Sequence, residues 1–217
     1  NGRYLRNLET VQFNKDQLTR YRGNSNADIL NGVPGLQVNN IRNEAGGLDI
    51  GIRGIQGEGR VPIIIDGGLQ STQTFRGYQG SSDRTYIDID LIRKVEIDKG
   101  ASFNSGTTGA TGGTIRMATL EASDIVLPNQ KFGVLLKASV FNNNKNPDLG
   151  GSEKASQYYV LQNSIKEFKP TGLNTTMALG YKGKKLDVLA AYSIRNEGNY
   201  FAGKRGADRY GYNSMYY

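Results

Sequence analysis

Metal chemistry in this 217-residue chain would start at Asp88 and Asp90, with Asp83 and Asp98 nearby, because clustered carboxylates are what a Ca²⁺ site requires. The spacing of a calcium-binding loop is absent. Both acids stand just before Leu91-Ile92, where carboxylates cap a helical turn and complement its dipole, and that reading is preferred. Asp66 and Glu96 could serve as a carboxylate pair for hydrolysis, but Asp66-Gly67 closes an apolar run as a turn dipeptide. Gly106-Thr-Thr-Gly-Ala-Thr-Gly-Gly113 has the composition of a phosphate loop. It lacks the Gly-Lys-Ser/Thr ending and opens no helix, so it reads as a turn feeding a strand. The chain has no Cys and no His, which removes disulfides, thiolate nucleophiles, His-metal sites and Ser-His-Asp triads together. No enzyme and no metal site are expected.

The chain divides into two regimes. In the first, Leu8 to Phe13 reads as a short strand. Asn14 to Tyr21 reads as a short helix with Asn14 as cap and Gln17 at the capping-box position. Ser25 to Leu30 reads as a second helix, closed by Gly32 and Pro34. Strands are expected at 36–39, 49–54 and 61–66, one helical turn at Asp88 to Arg93, and strands at 95–99 and 114–118. Three polar loops connect them: Ile41 to Leu48, Gln56 to Arg60 and the long Gly67 to Thr85. Helices and short strands mixed in this way give an α+β domain.

Beyond Asn129 the runs lengthen and alternate. Phe132, Val134, Leu136, Ala138 and Val140 share one face, with Leu135 the exception on the other. Leu173, Met177, Leu179 and Tyr181 share a face in a second run, and Leu186, Val188, Ala190, Tyr192 and Ile194 in a third. Tyr181 to Lys185 makes a tight turn between these two, and a less regular strand is expected near Gln157 to Phe168. Runs of about 10 residues with one apolar and one polar face are the pattern of transmembrane β-strands, whereas strands of soluble proteins average about 5–6 residues. Val134, Leu136, Val140, Leu179, Val188 and Ile194 should then face lipid, and Lys137, Lys182 and Arg195 should point inward or lie at the rim. Tyr158, Tyr159, Tyr181, Tyr192, Tyr200, Tyr210 and Tyr212 are expected at strand ends, as an interfacial girdle.

Composition agrees with a β-rich chain: 29 glycines, 37% hydrophobic residues, and no run of about 18 apolar residues that would make a membrane helix. The net charge of +7 invites a nucleic-acid partner. Its distribution argues otherwise. Residues 1–127 carry 14 basic and 14 acidic residues, leaving 13 and 6 of the chain's 27 and 20 for residues 128–217. The excess therefore belongs to the long strands and their turns, and it is read as loops and turns at a membrane edge rather than as a nucleic-acid or lipid-phosphate surface.

Five short motifs occur in a fixed order: Val33-Pro34-Gly35-Leu36, Ile52-Arg53-Gly54, Ile65-Asp66-Gly67, Val95-Glu96-Ile97-Asp98-Lys99-Gly100 and Gly112-Gly113-Thr114-Ile115. In this order they resemble the plug domain of TonB-dependent outer-membrane receptors. Asp49-Ile-Gly-Ile-Arg-Gly-Ile-Gln-Gly57, Arg76-Gly-Tyr78, Tyr86-Ile-Asp-Ile-Asp-Leu-Ile92 and Asn199-Tyr-Phe-Ala-Gly203 are most similar to the haem and haemophore receptor branch, related to the haemoglobin and transferrin receptors. The resemblance implies an α+β plug domain at residues 1–127, followed at 128–217 by the first strands of a transmembrane antiparallel β-barrel. A plugged lumen belongs to barrels of about 22 strands, so the chain is expected to be an N-terminal part of a larger protein. Any energy-coupling segment is expected upstream of Asn1.

What the resemblance implies for function is uptake of haem across the outer membrane of a Gram-negative bacterium. Haem would be a transported ligand, with no covalently bound cofactor, and a haem-carrier protein would deliver it. The other partners implied are the TonB energy-coupling complex and outer-membrane lipid. Receptors of the same family for a siderophore or a transferrin-type protein, and a soluble anion-binding β-rich module, are the alternatives. The apex loops of such plugs touch the ligand, which points to Arg42, Asn43, Gln56, Arg60, Gln73, Phe75, Arg76 and Tyr78. Arg beside aromatic rings can grip a flat anionic ligand; the same Gly/Ser/Thr-rich loop reads equally as a mobile connector. With no His present, an axial haem ligand on the plug side would have to be Tyr. Arg53, Arg93, Glu96 and Arg116 are the residues implied for contacts between plug and barrel, since buried charges there need partners.

Overall fold

The computed structural model describes residues 10–21, 23, 26, 28–30, 32–38, 47–48, 50–55, 60–70, 73–75, 81–83, 85–100, 110–141, 144–145, 170, 172–196 and 199–200. The chain opens with β1 (Thr10–Asn14) and α1 (Lys15–Arg20). Asn14 caps α1 by accepting from the Gln17 amide while the Gln17 side chain accepts from the Asn14 amide, which is the predicted capping box. Of the second predicted helix, only a 3-10 turn at Asp28–Leu30 lies in the described residues. It buries Ile29 and Leu30.

Next come β2 (Leu36–Val38), β3 (Gly47–Leu48), β4 (Ile50–Ile52), β5 (Ile63–Ile65), β6 (Gly68–Gln70), β7 (Gln73–Phe75), β8 (Ser81–Asp83), β9 (Thr85–Tyr86), β10 (Ile92–Asp98) and β11 (Thr114–Thr119). The central sheet has the order β1-β10-β11-β5-β6, antiparallel except where β11 runs parallel to β5. One face of it packs on the core of Leu18, Ile29, Leu30, Val33, Leu48, Ile50, Ile52, Ile63, Ile89, Ile92, Val95, Ile97, Ile115 and Met117. Burying each Ile or Leu there contributes about 1.5–3 kcal/mol.

Three differences from the expected elements have local causes. The Gly67 to Thr85 segment is not one open loop: it contains β6, which extends the central sheet beside β5, and the β7–β8 hairpin. Asp66 (φ 47°) and Gly67 (φ 84°) are both left-handed, the two-residue turn whose twist suits a hairpin. The predicted strand 49–54 stops at Ile52, because Arg53 (φ 51°) and Gly54 form a second such turn closed by the Ile52–Ile55 bridge. The helical turn at Asp88 covers only Ile89–Leu91, so β10 begins at Ile92, three residues before the expected start. A bulge follows, since the register with β11 shifts between Ile92 and Lys94.

A 3-10 turn at Ala122–Asp124 leads to the long strands β12 (Phe132–Phe141), β14 (Gly172–Lys182) and β15 (Asp187–Asn196), which form one antiparallel sheet. The short β13 (Asn144–Lys145) pairs with β16 (Asn199–Tyr200). The strand expected near Gln157 to Phe168 lies outside the described residues. No described helix is long and apolar enough to cross a membrane, a test that does not bear on strands.

Candidate functional site

The β12-β14-β15 sheet is built with its apolar face outward. Val134 is 72% exposed and Leu136 67%, and Val140, Leu179, Val188 and Ile194 are exposed with them, as their alternation predicts. The face turned to the mixed domain carries Gly133, Lys137, Ser139, Asn174, Thr176, Ala178, Gly180, Ser193 and Arg195. A soluble sandwich would bury the first face and wet the second. The reverse arrangement leaves a continuous apolar surface that needs lipid, around a polar lining that needs polar partners. Tyr192 departs from expectation: it faces outward in mid-strand opposite Met177, rather than at a strand end.

The polar lining finds its partners in the turn at Asp88–Leu91. Asp90, only 3% exposed, accepts from the Asn174 side-chain amide, and Lys137 Nζ lies 3.6 Å from its carboxylate. Asp88 accepts from the Ser193 hydroxyl, and Arg195 lies 4.0 Å away. Because Ser193 gives its one proton to Asp88, Thr176 must donate to Ser193 across 2.8 Å. Arg195 also lies over the Phe141 ring, 4.8 Å from its centroid. Two carboxylates on one turn thus meet side chains from three adjacent strands. Lys137 and Arg195 were expected inward or at the rim, and both are inward. Lys182 is exposed at the strand end.

Beside this cluster the chain passes from mixed domain to wall through a close contact. Gly133 and Gly180 are directly opposite each other. A Cβ on Gly133 would lie 2.4 Å from the Ile125 carbonyl oxygen, and one on Gly180 would lie 3.1 Å from Val126 Cγ2. The two glycines make a slot that receives the turn Ala122–Val126. Arg93, displaced by the bulge, fastens the same turn: its Nε donates to the Thr119 carbonyl at 3.0 Å and its guanidinium pairs with Glu121. Lys15 of α1 donates to the Asp124 carbonyl.

The residues singled out from sequence fall elsewhere. Arg116 pairs with Asp98 and, at 3.9 Å, with Glu96, which also binds Lys94 at 2.9 Å. These are pairs within the central sheet, and among the described residues neither Arg93, Glu96 nor Arg116 pairs with β12, β14 or β15. Arg53 is exposed in its turn, with its amide donating to Gly35. Of the apex residues, Arg60 is exposed at the start of the β5 segment. Gln73 and Phe75 lie in β7 as backbone, and Arg42, Asn43, Gln56, Arg76 and Tyr78 are outside the described residues. Asp66, considered for hydrolysis, instead accepts from the Thr119 hydroxyl (2.6 Å) and then its amide (3.0 Å), which together hold its carboxyl below the ordinary value. Gly112-Gly113 enters β11 directly. A Cβ on Gly113 would meet the Asp98 carbonyl oxygen at 2.3 Å, so this glycine serves close packing of backbone.

Local pattern accounts for Asp88 and Asp90 as capping acids but not for their contacts with β12, β14 and β15. A signal was present: cations on the polar face of an outward-apolar strand require anions from whatever the strands surround.

Comparison with known proteins agrees with this geometry. Residues 7–114 match the family model of the TonB-dependent receptor plug domain. The hemophilin receptor of Acinetobacter baumannii is 38% identical over 229 aligned positions, covering 95% of this chain and 22% of that protein. The TonB-dependent heme receptor A of Haemophilus ducreyi is 27% identical, covering 93% and 26%. Among solved structures, the Serratia marcescens hemophore receptor HasR, in complex with its hemophore HasA and heme, superposes with a TM-score of 0.69 at 26% identity, over 92% of this chain and 26% of the receptor. The chain therefore spans about a quarter of the length of these relatives. An α+β domain that offers carboxylates to the polar lining of an outward-apolar sheet is a plug seated on its barrel wall, and the chain belongs to the TonB-dependent receptors, as their plug domain followed by strands of the transmembrane β-barrel.

Proposed function

We propose that the protein of which this chain is part is an outer-membrane receptor for active uptake of haem, received from a haem-carrying protein. The observation that carries this reading is the 38% identity to a hemophilin receptor across 95% of the chain. Likeness to HasR supports it in structure. Residues 1–127 act as the plug and 128–217 as wall. Ligand would bind above the lumen at the apex loops, through Arg42, Asn43, Gln56, Arg60, Gln73, Phe75, Arg76 and Tyr78. Haem has a flat apolar face and two propionates, so Phe75 or Tyr78 would stack on the ring while Arg76 pairs with a carboxylate.

The energy-coupling complex would then act on the N-terminal segment. That segment enters the fold at β1, whose described pairing is with β10. Motion of the plug must work against the Asp88/Asp90 contacts, which hold it to β12, β14 and β15. The paired strip of Glu96, Arg116 and Arg93, with Arg53, would face other strands of the wall.

The test is growth of a receptor-deleted strain on haem as sole iron source, complemented with the full-length gene or with Phe75→Ala/Arg76→Ala/Tyr78→Ala. The wild type should restore growth, and the triple variant should grow poorly at equal surface expression. Failure of the wild type on haem with success on another iron source would replace haem as the cargo. Normal growth of the triple variant would place the ligand on barrel loops instead.

A further inference from the structure

We propose that Lys131, Lys182, Lys184 and Lys185 form a docking surface for the headgroups of anionic phospholipid, in the leaflet on the side of the plug-to-wall linker. Composition reads the basic excess after residue 127 as loops and turns at a membrane edge and not as a lipid-phosphate surface; the fold revises this, because it sorts the basic residues whose side chains are described into two groups. Lys137 and Arg195 sit inside the wall, within reach of Asp90 and Asp88. Lys131, Lys182, Lys184 and Lys185 are all exposed at one end of the sheet.

Their proximity follows from the register. Phe132 is opposite Tyr181, and the Lys182 amide donates to the Lys131 carbonyl at 2.8 Å, so these two lysines stand side by side on neighbouring strands. Gly183 then closes the turn on the Leu186 carbonyl at 3.0 Å, which places Lys184 and Lys185 at its tip. Asp187 is the acid opposite Lys182, and its carboxylate accepts from the Gly183 amide at 3.2 Å. The end of the sheet thus carries four cations against one engaged anion.

What lies next to them identifies the partner. The apolar face begins at once, with Phe132, Leu186 and Val188 exposed and the Phe132 and Tyr181 rings 5.0 Å apart. Aromatic rings of this kind mark the boundary between hydrocarbon and headgroup. A lysine at that boundary lays its four-carbon stem along the apolar surface and carries its ammonium to the phosphate layer. A soluble polyanion would meet these lysines only beside a surface that lipid already covers. The inference rests on the membrane-wall assignment and is independent of which ligand the receptor carries.

The experiment uses full-length receptor in bilayer nanodiscs of phosphatidylcholine with a minority of phosphatidylglycerol. The fraction of spin-labelled phosphatidylglycerol immobilised by the protein is compared with that of spin-labelled phosphatidylcholine. One lysine near an anionic surface is worth about 1 kcal/mol, or roughly a fivefold preference. The wild type should prefer phosphatidylglycerol, and the preference should fall with added salt. Lys131→Gln/Lys182→Gln/Lys184→Gln/Lys185→Gln should lose at least fivefold of it. If that variant fails to assemble, Lys184→Gln/Lys185→Gln, confined to the turn tip, should still lose a measurable part. Equal preference in wild type and variants, or none in the wild type, overturns the proposal. Absence of haem uptake would overturn the functional reading above and leave this result standing.

Discussion

Replacing Asp90 by Ala should loosen the plug on its wall more than any other single carboxylate change in the described sheet and turns. Asp90 is 3% exposed, while the Lys137 side chain retains 21% of its exposure. At 3.6 Å, the gross attraction between unit charges near a protein surface is about 4–5 kcal/mol. Much of that is offset by desolvation, but removing one partner strands the other. Asp90→Ala leaves the Lys137 ammonium and the Asn174 amide without this acceptor. Breaking a buried pair costs about 3–5 kcal/mol, and an orphaned amide about 1–3. Because Lys137 keeps some water, about 2–4 kcal/mol is expected in total, which raises the unseated population about 30- to 700-fold. Asp98→Ala is the control, since Asp98 meets Arg116 and the Thr10 hydroxyl, both within the plug, so its loss weakens the plug itself and not its seating on the wall. The assays are sensitivity of cells to a large antibiotic that the closed barrel excludes, and the rate of protease cleavage in the plug of purified full-length receptor. Asp90→Asn should be intermediate, losing the ion pair while keeping an acceptor for Asn174. A leak no greater in Asp90→Ala than in Asp98→Ala would refute the reasoning. So would strict additivity of Asp90→Ala with Lys137→Ala, because partners in contact must couple.

Met177→Arg, on the outward face between Leu136 and Tyr192, should reduce barrel assembly by about 2–4 kcal/mol, whereas Val188→Arg near the rim should cost about 0–1; quantifying heat-modifiable folded receptor in the outer membrane separates them. Ser193 cannot serve as a neutral control in that series, because it holds Asp88. Gly133→Leu should push the Ala122–Val126 turn out of its slot, since even a Cβ meets the Ile125 carbonyl oxygen at 2.4 Å; hydrogen exchange in residues 122–126 of the full-length receptor should rise. Asp66 has its pKa lowered by the Thr119 side-chain hydrogen bond first and the Thr119 amide second. Its stabilisation is therefore complete above the ordinary carboxylate range and is lost as pH falls below about 4 through the depressed value. Protection of the Thr119 amide should show that loss in wild type, and Asp66→Asn should remove the pH dependence.

Much of the fold could be read from local pattern. The long strands could be, because the period-2 alternation from Phe132 to Val140 and from Leu186 to Ile194 is set by which face meets lipid. So could the α1 cap, because Asn14 and Gln17 stand three residues apart. The β6, β7 and β8 strands could not. They are three residues each in a Gly/Ser/Thr-rich stretch, and pairing partners rather than side-chain pattern hold them. The apex residues were inferred from resemblance alone, and most of their side chains lie outside the described residues.

The Asp88/Asp90 turn shows why a correct local reading can be incomplete. Asp88 does cap its turn: Oδ1 accepts from the Asp90 amide at 3.0 Å. A carboxylate has about four acceptor positions, however, and a cap occupies one. The remaining capacity goes to Ser193, 105 residues along the chain, through Oδ2. Asp90 likewise lies in a first turn where an acid suits the dipole, yet its burial is sustained by Asn174, 84 residues away, and by Lys137. Neither separation leaves a trace in spacing. The clue is one of balance. Lys137 and Arg195 occupy polar-face positions in strands whose other face meets lipid, so their charges must be answered from inside the barrel. Among the described plug acids, Glu96 and Asp98 answer Lys94 and Arg116 in their own sheet. Asp66 is engaged with Thr119, and Glu121 with Arg93. Among the described acids, the aspartates at the turn beside the linker are those whose remaining lone pairs meet the wall, and so these contacts hold the plug at the corner where the chain itself enters the barrel.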